Sequence, residues 1–316
     1  MRARYHSQKD DKRGRKERLR GYSFLATLGI IAIVISASYI SSLPQVEHIP
    51  DKFEFNRQAW MRYVPNPVES VFYTDTDGAS AFMGGSNLFG SDALVHFYQL
   101  GFSVFSQDIS YELDMELPTP QFNGTVTVMK LHDQQFRALQ RAAENETRAP
   151  SYPYQSYTVR ELLIQRAGED QLLQSFLSLA DPYVVFSYDQ TAGRRNVERI
   201  LDQFALNAPS LFDNITVRTG VYAAGITNQQ YVGLQVGMFQ TQLNQSRMIV
   251  KAIVQDGTGI LVTRSILLPS SDVALNQFGE AHRVYRDATS YKILDSWLVV
   301  VYRYPVSRLK NEISGI

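Results

Sequence analysis

Two aspartates that follow an apolar run are the clearest candidates for chemistry in this sequence. The run Val71–Tyr73 is typical of a buried strand, and Asp75 and Asp77 come directly after it. Paired carboxylates at this spacing can hold a divalent cation, because Mg²⁺ and Ca²⁺ prefer oxygen ligands. The alternative is structural, since aspartates at a strand end also accept backbone N–H groups in Asx turns. Asp75 and Asp77 are therefore weak candidates for a metal site.

The eight residues 71–78, VFYTDTDG, resemble the metal–nucleotide motif of type II membrane glycosyltransferases. In that family, paired carboxylates hold a divalent cation against a diphosphate. The resemblance implies a metal-dependent envelope glycosyltransferase, and an envelope hydrolase that uses Asp75 and Asp77 belongs to the same class. This enzyme is an alternative function that we keep open.

Residues that the chain lacks exclude most other catalytic centres. It has no cysteine, so disulfide scaffolds, cysteine-ligated zinc, iron–sulfur clusters and cysteine nucleophiles are ruled out together. The five histidines are scattered. Neither a His-Glu-x-x-His zinc motif, nor a Gly-x-Ser-x-Gly elbow, nor a Gly-x₄-Gly-Lys phosphate loop is present. We therefore expect no cofactor, and a non-catalytic protein is favoured over an enzyme.

Two arginines are weak candidates for anion binding. Arg194 and Arg195 follow Gly193, where the pattern predicts that a helix over residues 193–206 begins. Free backbone N–H groups at a helix N-terminus attract anions, and the arginines would strengthen that attraction. An ordinary helix start with solvated arginines is the alternative.

A basic tail before an apolar segment predicts a membrane anchor. Residues 1–20 carry nine basic and three acidic residues, although the net charge of the whole chain is zero. Residues 21–40 contain no charge, and about 20 apolar residues cross a bilayer as a helix. Because basic residues stay cytoplasmic, the sequence predicts a single-pass cell-membrane protein. Its signal-anchor would contact the lipid bilayer through residues 21–40, with the N-terminus cytoplasmic and the C-terminal domain extracytoplasmic.

Two processing events are alternatives to an uncleaved anchor. The small residues Ser36–Ser38 offer a site for signal peptidase. Arg20 and Gly21, placed before the apolar segment, resemble the processing site of type IV prepilins. That resemblance implies a pilin-like surface subunit whose mature chain begins near Gly21.

Asn-x-Ser/Thr sequons support an exported domain. Four occur beyond the apolar segment, at Asn123, Asn145, Asn214 and Asn244, and such sequons accept glycans in glycosylating cells. A cysteine-free exported domain is atypical of eukaryotic secretion. We therefore expect a glycoprotein of a prokaryotic, and specifically archaeal, cell envelope.

The periodicity predicts an α+β fold with largely antiparallel sheets. After a stalk over residues 41–66, we expect a first α+β unit over 67–146 and a second over 181–316. Residues 147–180 form a connection and a helix that opens with a capping box at Thr158–Glu161. Further predicted elements are a helix over 88–100, a strand over 215–221 and one long strand over 291–302.

One strand has a regular alternation. From Ile109 to Leu117, apolar residues occupy one face, and Ser110, Glu112, Asp114 and Glu116 occupy the other. This pattern is typical of a strand with one core face and one solvated face.

The two units resemble each other, which suggests an internal repeat of a β-α-β-β pattern. Val71–Asp75 matches Val185–Asp189, and the segment Ser103–Tyr111 matches Ser210–Val217. Chance similarity between β-α-β patterns is the alternative.

These features favour a membrane-anchored extracytoplasmic interaction or assembly module, such as an accessory subunit of a membrane or envelope complex. Protein partners in the envelope are expected, and the zero net charge excludes an overall basic nucleic-acid binder. Three tyrosines in the connecting segment, a residue type common at binding surfaces, support this function: Tyr152, Tyr154 and Tyr157.

Overall fold

A computed structural model describes residues 45–55, 57–85, 93–118, 123–189, 191–206, 208–225, 231–240 and 246–314, together with 27, 29–31 and 33. The chain divides into Met1–Gln45 and a compact unit, Val46–Ile316. In the first of these, residues 27, 29–31 and 33 are helical. The basic tail and both processing sites, at Arg20–Gly21 and Ser36–Ser38, lie outside the described residues.

The transmembrane helix predicted over residues 21–40 is wrong. Within the part of the chain that the structure describes, no helix is both long enough and apolar enough to cross a bilayer. The single-pass membrane location and the signal-anchor were inferred from this segment, so these two predictions are wrong as well. The prediction used only length and lack of charge, which a spanning helix requires but which do not by themselves produce one.

The strands of the described residues form one fifteen-stranded mixed sheet. They are β1 Val46–Glu47, β2 Ser70–Asp75, β3 Ala93–Phe97, β4 Phe102–Phe105, β5 Ile109–Pro118, β6 Asn123–Leu131, β7 Ser151–Tyr154, β8 Tyr157–Arg166, β9 Leu173–Ala180, β10 Tyr183–Ser187, β11 Tyr231–Gln240, β12 Ser246–Asp256, β13 Gly259–Leu267, β14 Ser290–Leu294 and β15 Trp297–Pro305. Their order is β1-β14-β15-β13-β12-β11-β2-β5-β6-β10-β9-β8-β3-β4, and β7 pairs with β8 beside this path. Among the described pairs, β1 and β14 are parallel and the others antiparallel.

Helices cover both faces of this sheet. In the described segments of the compact unit they are α1 Thr76–Phe82, α2 Asp133–Asn145, α3 Gly193–Leu206, α4 Ile215–Ala223, α5 Ser271–Val284 and α6 Leu309–Ser314. Single 3₁₀ turns occupy Ala59–Tyr63, Tyr98–Leu100, Ser106–Asp108, Leu211–Asp213 and Val306–Arg308.

The two faces of the sheet bury apolar residues differently. On one face, a continuous cluster packs beneath α3, α4 and the 3₁₀ turn Ala59–Tyr63. Trp60 and Met61 of that turn are buried in it, although we assigned them to a stalk. The opposite face carries two separate clusters. The α5 cluster lies beneath α5 and α6 and contains Ile253, Val262, Ile266, Leu298 and Val300. The α2 cluster lies beneath α2 and contains Phe97, Ile109, Met129, Leu131 and Phe186.

The predicted α+β class agrees with this architecture, but the prediction of two similar β-α-β-β units is wrong, because all the strands join one sheet. In the proposed repeat, Asp75 and Asp189 occupy similar places, since Asp75 ends β2 before α1 and Asp189 lies between β10 and α3. The second match fails: Ile109 begins strand β5, whereas Ile215 begins helix α4.

The helix predicted for residues 158–180 is instead the β8–β9 hairpin. Val159, Leu162 and Ile164 are buried in β8, and the register pairs Arg160 with Leu177. The intervening Gly168 has φ +81°, a conformation that suits a turn between strands. The periodicity failed here because β9 is buried on both faces, so its sequence does not alternate.

Three further segments differ from their predictions. Residues 93–97 form strand β3, whereas a helix was expected over 88–100, of which 88–92 lie outside the described residues. The expected single strand over 291–302 is the β14–β15 hairpin, which turns at Asp295 with φ +49°. The expected strand over 215–221 is helix α4, whose start is capped by the Asn214 side chain.

Close packing explains why α4 is helical despite its β-branched residues. Its buried residues include Val217, Gly220 and Val221, which share one helical face. A Cβ on Gly220 would lie 2.6 Å from Trp297 Cη2 and 2.7 Å from Val250 Cγ2. Tertiary contact at this glycine therefore overrides the local preference for a strand.

We expect Gly220→Ala to lower the free energy of unfolding by about 1–3 kcal/mol, because the added methyl group overpacks the contact with Trp297. The matched control is Gly279→Ala in α5, where a Cβ meets nothing within 4 Å. That change should raise the free energy of unfolding by about 0.5–1 kcal/mol, because alanine favours a helix over glycine. Urea denaturation of both variants measures the difference, and equal effects would contradict the packing argument.

Candidate functional site

A cavity of about 370 Å³ opens on the sheet face that carries the α5 and α2 clusters. Strands β2, β5, β6 and β11 form its floor, and Ile313 of α6 contributes to its wall. Its polar lining residues interrupt the apolar core between the two clusters. The lining includes Ser70, Thr74, Glu112, Asp114, Glu116, Thr125, Arg166, Tyr188 and Gln235.

The strand register places these side chains together. In antiparallel neighbours, directly paired residues point to the same face. On β5, Glu112 pairs with Thr74 and Asp114 pairs with Phe72. Phe72 pairs in turn with Gln235 on β11. One row across the sheet therefore holds Asp114 and the Gln235 amide, and Glu112 lies beside Thr74 in the next row on the same face.

Glu112 and Asp114 form a coupled acidic pair. The pKa of Glu112 is raised to about 8, chiefly by removal from bulk water and further by the adjacent Asp114 carboxylate, while Arg166 opposes the shift. Burial also raises the pKa of Asp114. The Thr127 hydroxyl, which donates a hydrogen bond of 2.6 Å to Asp114 Oδ1, opposes this shift. Because two neighbouring carboxylates cannot both ionise without repulsion, the pair retains a proton near neutral pH.

A cation–aromatic pair contributes to the wall of the cavity. The Arg166 guanidinium carbon lies 4.5 Å from the centre of the Tyr188 ring. Arg166 ends β8, and Tyr188 follows β10. Stacking of this kind holds an arginine in place without neutralising its charge. Arg166 therefore lowers the pKa of both acids without forming an ion pair with either among the described residues.

Several polar groups in the cavity have no internal partner. Gln235 is 9% exposed and Thr74 is 4% exposed, and neither side chain makes a hydrogen bond to any described residue. The Glu112 carboxyl group likewise has no hydrogen-bond donor in the described part of the chain. Polar groups that face a cavity without a protein partner can form hydrogen bonds with a ligand in place of those with water. The arrangement suits a polar molecule that would satisfy these groups.

The structure places the predicted metal candidates elsewhere. Asp75 Oδ1 accepts a hydrogen bond of 2.9 Å from the Gly78 backbone N–H and caps α1. Asp77 Oδ1 lies 3.2 Å from His132 Nε2. Each carboxylate therefore has its own protein partner. Within the described residues, no group of three His, Asp or Glu side chains is arranged to hold a metal ion.

The anion candidates at α3 are also engaged within the protein. Arg194 Nε donates to Glu198 Oε1 at 2.9 Å, and its guanidinium carbon lies 4.1 Å from the centre of the Tyr152 ring. Arg195 is exposed. The Asp189 carboxylate accepts the backbone N–H groups of residues 191 and 192, so a negative charge already occupies this helix N-terminus.

The tyrosines of β7 pack against the same helix. The Tyr152 hydroxyl donates to Glu198 at 3.1 Å, and the Tyr154 hydroxyl donates to Asp202 at 2.9 Å. These hydroxyl groups fasten β7 to α3. Tyr157, at the start of β8, is partly buried.

The sequons lie in different environments. Asn123 begins β6, and Asn145 is the exposed last residue of α2. Asn214 is exposed, but its side-chain oxygen accepts the Thr216 backbone N–H and caps α4. Asn244 lies outside the described residues.

The acids of the cavity were predicted as residues on a solvated strand face. The alternation of β5 placed Glu112 and Asp114 opposite the core face, as the structure does. The missed signal is on the neighbouring strands, where Thr74 of β2 and Gln235 of β11 are polar residues on the same face as these acids. Polar residues on the same face of adjacent strands indicate a shared polar enclosure, once the strand order is known.

The comparisons with known proteins give a distant structural likeness. No family model matches the chain, and no curated protein matches it. Crystal form I of TP0453 is similar in structure, with 9% sequence identity and a TM-score of 0.48, covering 82% of this chain and 98% of that one. Crystal form III of TP0453 gives 8% identity and a TM-score of 0.48, covering 81% of this chain and 98% of that one.

Proposed function

We propose that this chain is a non-catalytic interaction module that holds a small organic molecule in the cavity between the α5 and α2 clusters. The observation that carries the proposal is the set of unpartnered polar groups on the cavity wall, Glu112, Gln235 and Thr74. Pockets that bind small molecules combine apolar walls with a few convergent polar groups. Phe72 and Ile313 supply apolar contacts beside those polar groups.

The placement of the acids favours binding over catalysis. Glu112 and Asp114 project from one face of one strand, with Cα atoms about 6–7 Å apart. Both carboxyl groups therefore approach a ligand from the same side. Acid–base cleavage of a glycosidic bond instead uses two carboxyl groups that flank the bond. Asp75 and Asp77, on which the glycosyltransferase or hydrolase alternative depended, are bonded to Gly78 and His132.

The proposal predicts that the full-length protein, purified natively, carries a small molecule that Ser70→Leu displaces. Ser70 lines the cavity, and a leucine there would fill part of its volume. Native mass spectrometry, followed by denaturation and analysis of the released small molecules, measures the occupancy. The matched control is Ser290→Leu, an exposed position on β14 of the same sheet.

We expect the wild type and the Ser290→Leu variant to release the same compound, and the Ser70→Leu variant to release little of it. Equal release from all three proteins would place the molecule outside the cavity. Absence of any bound molecule, together with failure of added small molecules to bind, would contradict the proposed function.

A further inference from the structure

The cavity has an excess of negative groups. Its lining contains three carboxyl groups, Glu112, Asp114 and Glu116, and one guanidinium group, Arg166. Among the described residues, no ion pair within 4 Å engages any of these four side chains. Uncompensated carboxylates in a partly enclosed site favour a positively charged ligand.

The unpartnered polar groups point to the same ligand chemistry. Gln235 is about nine-tenths buried and lines the cavity with a free carboxamide. Its carbonyl oxygen, the Thr74 hydroxyl and the Glu112 carboxylate can each accept a hydrogen bond from an ammonium or guanidinium group. These acceptors lie on one face of the paired strands β11, β2 and β5, with Thr74 directly opposite Glu112 and Gln235 in the adjacent row.

An organic cation fits the cavity better than a metal ion. The described residues contain no cluster of three metal-ligating side chains. Phe72 and Ile313 instead provide apolar surface, against which the methylene groups of an alkylamine would pack.

Resting on the proposed function, we infer that the ligand is an organic cation whose ammonium or guanidinium group binds between Glu112 and Asp114 and displaces a proton from that pair. The Glu112 O–H bond breaks and its proton passes to solvent as the ligand's positive charge replaces it, and no other covalent bond changes. The complex therefore forms with no net change of charge in the cavity.

The groups around Glu112 set the pH range of this exchange. Asp114 and Glu116 lie on the same strand as Glu112, and Arg166 and Tyr188 line the cavity. Helix α1 packs against β5 and carries Asp77, which is paired with His132. Burial and Asp114 raise the pKa of Glu112 to about 8. A bound cation stabilises the ionised form and lowers that pKa. Binding must therefore tighten as the pH rises toward 8, and level off above it.

The test compares two isosteric probes, 4-aminobutan-1-ol and butane-1,4-diol, by isothermal titration calorimetry on the full chain. We expect the amine to bind at least about tenfold more tightly than the diol near pH 8. Its affinity should rise about tenfold per pH unit between about pH 6 and 7.5. Titration in two buffers with different ionisation enthalpies should show close to one proton released near pH 7.

The Glu112→Gln variant should bind the amine at least about tenfold more weakly near pH 8.5, and it should release no proton near pH 7, where the wild type releases one. Asp114→Asn tests the second carboxylate and should also weaken binding of the amine. The matched control is Glu54→Gln, which removes an exposed carboxylate from the segment before the 3₁₀ turn Ala59–Tyr63 and should leave both the affinity and the proton release unchanged. Circular dichroism verifies that each variant is folded.

The outcomes separate this inference from the proposed function. Equal binding of both probes, or binding of the amine without proton release, would overturn the inference and leave the cavity as a site for neutral molecules. If a compound without an amine or guanidine group is released from the purified protein, the inference is again wrong. If neither probe binds and no molecule is released, both proposals fail.

Discussion

Replacing Glu112 with glutamine should stabilise the protein at alkaline pH and remove most of the pH dependence of its stability between about pH 5 and 8. In the folded protein, burial raises the pKa of Glu112 from 4.5 to about 8. Between these values the folded state retains a proton that the unfolded state has lost, so the free energy of unfolding of the wild type falls as the pH rises. Above the folded-state pKa, the loss is complete and the curve is flat.

The expected gain of Glu112→Gln is on the order of 3 kcal/mol above pH 8 and close to zero near pH 5. Urea denaturation of the wild type, Glu112→Gln and the exposed control Glu54→Gln, each at several pH values, measures it. Glutamine preserves the shape of the side chain and has no proton to lose, so its curve should be flatter. Parallel curves for the wild type and Glu112→Gln would show that Glu112 titrates normally.

The second large effect concerns the ion pair that holds α6 against the sheet. The Lys251 side chain is 6% exposed, and its Nζ lies 3.0 Å from Glu312 Oε2 and donates to the Glu312 backbone oxygen at 2.7 Å. Burial lowers the pKa of Lys251, and Glu312 opposes that shift. Lys251→Met leaves the Glu312 carboxylate without its main partner, although Arg264 remains 3.9 Å away. We expect a loss of about 3 kcal/mol in the free energy of unfolding.

The matched control is an exposed pair, Arg303 and Asp256, separated by 2.7 Å. Because the Arg303 side chain is 65% exposed, Arg303→Met should cost less than about 1 kcal/mol. The double variant Lys251→Met/Glu312→Gln should recover part of the loss, since it removes the unpaired charge.

Hydrogen exchange at residues 309–314 should increase in Lys251→Met, and an unchanged rate there would contradict the assigned role of the pair. Ile313 lines the cavity, so release of α6 would also open the ligand site.

The elements predicted most accurately are those whose burial follows a single period. Helix α3 has the bounds predicted for it, because Val197, Ile200 and Leu201 form one buried stripe. The alternation of apolar and polar residues predicted strand β5. One face of the strand, which bears Leu113 and Met115, packs into the core beneath α3 and α4, so apolar residues are needed there. Local sequence is sufficient to predict a helix or strand when only one face of that element is buried.

The remaining elements depend on contacts between residues far apart in sequence. Helix α4 is rich in β-branched residues, and its helical state depends on the contact of Gly220 with Trp297 and Val250. The environment of Glu112 depends on β11, more than a hundred residues later, and on Arg166 from β8. Alternation along β5 specifies the face on which the acids lie. It contains no information on whether other strands and helices enclose that face.

The carboxyl carbon resonance of Glu112, followed by ¹³C NMR across pH with and without 4-aminobutan-1-ol, tests the cavity site most directly. Comparison with Glu112→Gln assigns the resonance. The site described here predicts a midpoint near 8 in the free protein and a shift to lower pH in the presence of the amine, because a bound cation favours the ionised carboxylate. A midpoint near 4.5, the ordinary value, that the amine does not move would contradict both the coupled acidic pair and the binding of a cation there.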